Sequence, residues 1–298
     1  MRIAIIGGRG FIGRNLSNEL MAAGHQVIIV TRAKDTKAVN SGFYVNWDGK
    51  DRKALQTILE KCDAVVNLAG ENIGVKPWTK ARKEMLRRSR VETTNVLVDS
   101  LNELKKLPLI LIQASAIGFY GVGDQPVDEN SPAGKDWLAK LCVEWEDPLT
   151  RLNEKNTRVV IIRNGVVLGK QGSVLQKLLL PIKLFIGGPL GKGNQWISWI
   201  HIEDEARAIR YLLENEKCCG IYNLTAPEAV QNAEMVRTLA RITHRPFWIR
   251  TPAFLLRMAL GEMSTIVLDG QRVLPSRLTS AGFIFNYNDL EKALRDLL

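Results

Sequence analysis

The chain has little of what metal and disulfide chemistry require. Its three histidines, His25, His201 and His244, are scattered, and its four cysteines, Cys62, Cys142, Cys218 and Cys219, form no Cys-x-x-Cys pair. No metal site or disulfide framework is expected, and the thiols read as reduced packing residues. No apolar run reaches the roughly 20 residues that span a bilayer. The short run in "MRIAIIGGRG" enters a glycine turn without a cleavage pattern, so the expectation is a cytoplasmic protein with no membrane partner. Acidic residues are in the minority, 31 against 41 Lys and Arg, for a net charge of +10. Such an excess attracts anions. Its densest stretch, Lys76 to Arg90, holds seven Lys or Arg against one Glu. That stretch reads either as a solvated helix face or as a wall that meets phosphates. No zinc finger, basic zipper or RNA-binding aromatic pair accompanies it, so nucleic acid is not an expected partner.

What the chain does have is the rhythm of an α/β protein. Its 298 residues suit one such body with a smaller lobe. Short apolar runs ("RIAIIG", "QVIIVT", "FYVNW", "AVVNLAG", "LILIQAS", "RVVIIR") alternate with helical patterns, among them "FIGRNLSNELMAAG", "DRKALQTILEKC", Thr79–Lys106 and "GKDWLAKLCVEWEDPLTRLN". Continuous apolar strands separated by amphipathic helices predict a doubly wound parallel sheet covered on both faces. From about Val166 the pattern breaks into glycine-rich loops and helices. The expected division is a nucleotide-binding domain over 1–165, its sheet completed from 196–226, and a substrate lobe formed mainly by 166–298.

"IAIIGGRGFIGRNL" places Gly7, Gly10 and Gly13 between the first strand and the first helix. A tight turn, a backbone close to a pyrophosphate and close helix–strand packing each need glycine there. The helix start offers the N–H groups of Phe11, Ile12 and Gly13 to phosphate. A dinucleotide is therefore expected on this turn. At the tip of the second strand stand Thr31 and Arg32, where an NAD site would carry an acid for the ribose hydroxyls. Arg32, with Arg9 in the turn itself, suits a 2′-phosphate, so NADP(H) is preferred. Asn67, Leu68, Ala69 and Gly70 end the fourth strand with mostly small residues that let the cofactor pass.

"GGRGFIG", "NLAGENI", "SAIGFYG", "RNGVVLGKQG" and "WIHIEDEARAI" occur in the order found in the extended short-chain dehydrogenase/reductases, and the whole chain resembles that class. The tail "LLRMALGEMSTIVLDGQRVLPSRLTSAGFIF" resembles more narrowly its "epimerase family protein" subgroup, the YfcH-like or 39U type. The resemblance implies a Rossmann fold, NADP(H), a small-molecule substrate of unassigned identity, and a homodimer through the Thr79–Lys106 helix. It implies a catalytic Ser, Tyr and Lys, the Tyr four residues before the Lys. Ser115 matches the serine and Lys140 the lysine, but Asp136 stands where the tyrosine should be. On a helix, Asp136 and Lys140 would pair at i, i+4, which lowers a carboxyl's pKa and makes it a poor acid. Tyr120 is then the candidate acid or, failing that, a pocket wall. Arg90 stands where related enzymes place an asparagine, and would hold the cofactor or an anionic substrate or pair with a surface glutamate. Arg163, Gly165 and Val166 match the segment that meets the nicotinamide. Three readings stay open: an oxidoreductase or epimerase-like enzyme acting on a small carbonyl or hydroxyl compound, a non-enzymatic NADP(H) sensor, and a nucleotide-sugar epimerase.

Overall fold

The computed structural model describes residues 1–33, 43–105, 108–152, 157–171 and 174–298, so Lys106, the expected end of the long helix, lies outside the described residues. Thirteen strands are described: β1 (Arg2–Ile6), β2 (Gln26–Thr31), β3 (Phe43–Asn46), β4 (Ala64–Asn67), β5 (Ile110–Ala116), β6 (Gly123–Val127), β7 (Arg158–Asn164), β8 (Val166–Leu168), β9 (Trp196–Ile197), β10 (Trp199–His201), β11 (Gly220–Leu224), β12 (Val230–Gln231) and β13 (Gln271–Val273). The helices are α1 (Phe11–Ala22), α2 (Arg52–Leu59), α3 (Lys80–Asn102), α4 (Trp137–Glu146), α5 (Val174–Lys183), α6 (Ile202–Glu214), α7 (Asn232–Ile242), α8 (Ala253–Leu260), α9 (Thr265–Leu268), α10 (Ser276–Ser280) and α11 (Leu290–Leu297).

Seven strands form a parallel sheet in the order β11-β7-β5-β4-β1-β2-β3. The chain runs outward from β1 in one direction and from β4 in the other. The crevice between the carboxyl ends of β1 and β4 is therefore the switch point at which such sheets take ligands. Alternation along the strands fills both faces. Ile3, Ile5, Ile112, Ala114 and Ile162 pack with Leu16, Leu20, Ile209 and Leu212 of α1 and α6. Ala4, Ile6, Val65 and Leu111 pack with Leu55, Leu59, Leu97 and Leu101 of α2 and α3. The sheet is doubly wound, as the apolar runs predict.

A third core, with Trp199, Leu175, Leu179, Met235, Leu239 and Leu294, forms among the residues after Val166, here called the smaller lobe. Among the contacts that fasten this lobe to the sheet body, two stand out. The strand β13 pairs with β6, and fully buried Asp204 of α6 accepts the backbone N–H groups of Asn286 (2.9 Å) and Tyr287 (2.8 Å). Next to Asp204, Glu205 is also fully buried, and neither of its oxygens has a hydrogen-bond partner. Burial alone pushes its carboxyl up to about 8.

The helix expected to begin near Gly134 starts later and ends sooner. Asp136 is its N-cap, with an extended backbone and a carboxylate that accepts from the N–H of Ala139 at 2.9 Å. Pro148 lies in the 3₁₀ turn Asp147–Arg151 that follows, since a proline ring cannot continue the helical hydrogen bonds.

Candidate cofactor and substrate site

The glycine turn is built for a close approach. Gly7 has φ +80°, and a methyl group added there would fall 2.9 Å from the backbone carbonyl of Leu68. One added at Gly13 would fall 2.6 Å from Gly8 Cα. Gly10 is the N-cap of α1 and no side chain caps that helix, so its first N–H groups are offered outward. Asn67 is buried and shapes the opposite wall: its amide donates to Gln113 Oε1 (2.9 Å) and its Oδ1 accepts from Ala69 N (3.1 Å). The Leu68 and Ala69 backbone thus runs past the turn at Gly7.

Thr31 Oγ1 accepts from Ala33 N at the end of β2. Arg32 follows, 74% exposed in its side chain and paired with Glu71 at 3.1 Å. That hydrogen bond holds the Glu71 carboxyl below its ordinary range. Arg82 reaches the same carboxylate at 3.5 Å. Glu71 is a partner that sequence reasoning missed. It lies one residue beyond the small-residue turn, and only the sheet order brings it to Arg32. Arg9 is exposed, and its carbonyl accepts from Arg14.

Arg90 points inward from α3. It donates to the carbonyls of Leu86 (3.1 Å) and Glu71 (3.0 Å), and its guanidinium lies 5.0 Å from the ring centre of Trp145. The surface pairings available to it fall to other residues, with Arg88 on Glu92 and Arg87 on Glu144. Burial lowers the Arg90 pKa to about 10, which leaves it charged at neutral pH. A methyl group at Gly70 would sit 3.3 Å from its Cζ, so Arg90 stands where the nucleotide crevice meets the next cavity.

That cavity encloses about 600 Å³. Its walls include Trp78, Trp137, Trp145 and Trp196, the cavity face of α4 (Leu138, Leu141, Cys142), and Gly165 and Val166 after β7. The smaller lobe supplies Gln195, Asn232, Ile266 and Gln271. Gln195 is tied to the carbonyls of Leu190 and Val267, and Gln271 to that of Ile117. Burial pushes the Cys142 thiol up to about 12, so it is neutral. The α4 lining was also missed, although its signal was available: 138, 141, 142 and 145 share one helical face.

The expected catalytic residues lie elsewhere. Ser115 is buried, and its hydroxyl donates to Glu146 Oε1 at 2.6 Å. Glu146 forms a two-point pair with buried Arg163, Nε to Oε1 at 2.9 Å and Nη2 to Oε2 at 2.8 Å. Arg163 Nη1 donates to Tyr120 Oη (3.1 Å), which donates to Asn223 Oδ1 (2.7 Å). The Phe119 ring lies 3.3 Å from the Arg163 guanidinium carbon. Ser115, Tyr120 and Arg163 therefore form one buried network and do not line the cavity. Burial raises the Tyr120 pKa, the wrong direction for an acid meant to work near neutrality. Lys140 is exposed on α4, away from the cavity face. The expected Asp136–Lys140 pair is replaced by the Asp136 cap, because the helix begins one residue after Asp136. Among the described residues, no group of three or more His, Cys, Asp or Glu is placed to hold a metal ion.

Two family matches divide the chain. Residues 3–225 match the NAD dependent epimerase/dehydratase family, and 251–297 match a domain of unknown function, DUF1731. An Arabidopsis thaliana protein named epimerase family protein SDR39U1 homolog, chloroplastic, is 40% identical over all of this chain and 87% of its own length. Epimerase family protein YfhF of Bacillus subtilis is 39% identical over all of this chain and 98% of its own. The crystal structure of human epimerase family protein SDR39U1 with NADPH superposes with a TM-score of 0.88 at 32% identity, over all of this chain and 99% of that one. With the glycine turn, the parallel sheet and these full-length likenesses in agreement, the chain belongs to the NAD dependent epimerase/dehydratase family.

Proposed function

We propose that the protein binds NADP(H) across the β1–β4 crevice and is an oxidoreductase acting on a small carbonyl or hydroxyl compound in the adjoining cavity. The observation that carries this reading is the position of Arg90, which borders both the crevice wall at Gly70 and the cavity beside Trp145. The residues present fit the cofactor: Gly7 and Gly13 leave no room for a side chain, the start of α1 is uncapped, and Arg32 is exposed at the tip of β2. When bound, NADPH would supply the hydride. Arg32 would meet the 2′-phosphate, and Arg90 a cofactor or substrate oxygen that carries negative charge. The buried network holds the strand ends in register, and the proton is assigned to water reaching the cavity. The NADPH bound by the human relative supports the choice of cofactor.

Titration of cofactor fluorescence tests the binding half. NADPH should bind at least ten-fold more tightly than NADH, and Arg32→Ala should remove most of that preference, as expected for the loss of a charge-assisted contact. Equal affinities would refute the assignment of Arg32. Oxidation of NADPH with a panel of carbonyl compounds tests the catalytic half. Burial of Ser115 and Tyr120 in a scaffold favours a second reading, a binding protein without turnover, which gains if NADPH binds and no compound in the panel is reduced.

A further inference from the structure

The smaller lobe carries an apolar surface that the proposed function does not use. Phe185 sits at φ 62°, a conformation that bulky residues seldom adopt, between exposed Leu184 and Ile186, with exposed Leu180 one helical turn before Leu184. Beside it, Trp248 is 69% exposed while its indole N–H donates to the Phe185 carbonyl at 2.8 Å. The backbone N–H groups of Trp248 and Ile249 both donate to Gly187 O, which welds the two segments together. Two residues beyond Thr251 comes α8, "AFLLRMAL", an apolar helix with no buried residue. Ala253, Leu256 and Leu260 are half-buried towards the protein, while Phe254 (61% exposed), Leu255 and Met258 (80% exposed) face solvent.

The charge around this surface is mainly positive, and the acid that follows α8, Glu262, is paired with Lys83. No Asp or Glu occurs between Lys155 and Ile202, or between Met235 and Gly261. Within these stretches lie Lys183, Arg245, Arg250 and Arg257, and the Arg245 guanidinium covers the Phe185 ring at 4.5 Å. Scattered exposed apolar residues are ordinary, but a contiguous patch of Trp, Phe, Leu, Ile and Met marks an interaction site. A second copy of the chain fits it poorly. A two-fold contact sets the patch against itself and would bring these cations together, with the neighbouring Glu262 already engaged by Lys83. An anionic lipid surface satisfies both properties, because its headgroups take the cations and its acyl boundary takes the apolar side chains.

We infer that the surface formed by Leu184–Ile186, Trp248–Arg250 and α8 docks the protein on anionic bilayers without crossing them. The expectation of no membrane partner rested on the length of apolar runs, which detects spans and not surfaces. Among the described residues no helix is long and apolar enough to cross a membrane, in keeping with attachment at the interface only. Glu262, Thr265 and Ile266, immediately after α8, line the cavity, so docking brings the substrate site to the lipid boundary.

Co-sedimentation of the full chain with vesicles tests this, using phosphatidylcholine alone and phosphatidylcholine with about a third phosphatidylglycerol. Binding is expected to the anionic vesicles only, and to weaken as salt is raised. Replacing Arg250 and Arg257 with Gln should weaken it by about five-fold for each charge. Phe254→Ser with Met258→Ser should weaken it ten-fold or more while leaving NADPH affinity and the thermal midpoint unchanged, which separates loss of docking from loss of fold. Absence of sedimentation with anionic vesicles overturns the inference. So does equal binding to neutral and anionic vesicles. A concentration-dependent dimer that the Phe254→Ser, Met258→Ser variant abolishes would also overturn it, by assigning the patch to a second copy.

Discussion

Replacing Glu205 with glutamine should stabilise the protein at neutral pH and leave it nearly unchanged at pH 5. Glu205 is fully buried, neither oxygen has a partner, and burial raises its pKa from 4.5 to about 8. Between these values the unfolded chain has lost the proton that the native chain keeps, so folding must take one up. The group's contribution is therefore most favourable below pH 4.5 and is lost as pH rises towards 8. Each unit costs about 1.4 kcal/mol, so the cost is about 3 kcal/mol at pH 7 and levels off near 5 kcal/mol above pH 8. Glutamine has the same shape and an equally unpartnered polar end, but it does not titrate. The stability of Glu205→Gln relative to the parent should thus be within about 1 kcal/mol at pH 5 and grow to about 3 kcal/mol at pH 7. Urea denaturation of both proteins at pH 5, 6, 7 and 8 measures this, and all other titrating groups cancel in the difference. A difference that is flat with pH, or that shrinks as pH rises, would show that Glu205 is ionised and partnered in the native protein.

Four further substitutions probe the site and its scaffold. Arg163→Met leaves the Glu146 carboxylate buried without its two-point partner, and should cost about 3–5 kcal/mol in denaturant unfolding; a loss below 1 kcal/mol would mean that water replaces the guanidinium. Tyr120→Phe removes the hydroxyl between Arg163 and Asn223, and should cost about 1 kcal/mol of stability with NADPH affinity and turnover unchanged. A hundred-fold fall in turnover would instead make Tyr120 the acid. Gly13→Ala sets a methyl group against backbone and should weaken NADPH binding at least ten-fold, whereas Gly10→Ala, whose added carbon meets only Gly7 O at 3.2 Å, should be milder; equal effects would remove the steric reading of the turn.

The nucleotide half could be read from residue order because its requirements are local. A strand, three glycines and a helix start lie within about a dozen consecutive residues, and each has its own backbone reason. The placement of the expected catalytic residues could not, because small angular differences decide it. Ser115 shares its face of β5 with Leu111 and Gln113, towards α3 and α4, whereas Ala116, one residue on, lines the cavity. Starting α4 after Asp136 turns an expected ion pair into a cap. Lys140 falls between Ala139 and Leu141, on the side of the helix away from the apolar stripe, a direction that the spacing from Ser115 alone does not contain. Glu146 reads in sequence as one more helix-end acid. Its role as the hub of a buried network depends on Arg163, Tyr120 and Asn223 arriving from three other elements.

The join at Asp204 has an evolutionary consequence. The two matched sequence families meet in the gap between residues 225 and 251, yet the cavity draws one wall from each side of it. An exchange of the last fifty or so residues would keep the nucleotide turn, Arg32 and Arg90 and replace the part of the cavity around Ile266 and Gln271. Such a recombinant would keep the nucleotide turn of one parent and take part of its cavity wall from the other. The condition is that the incoming tail presents two backbone amides to the buried carboxylate of Asp204.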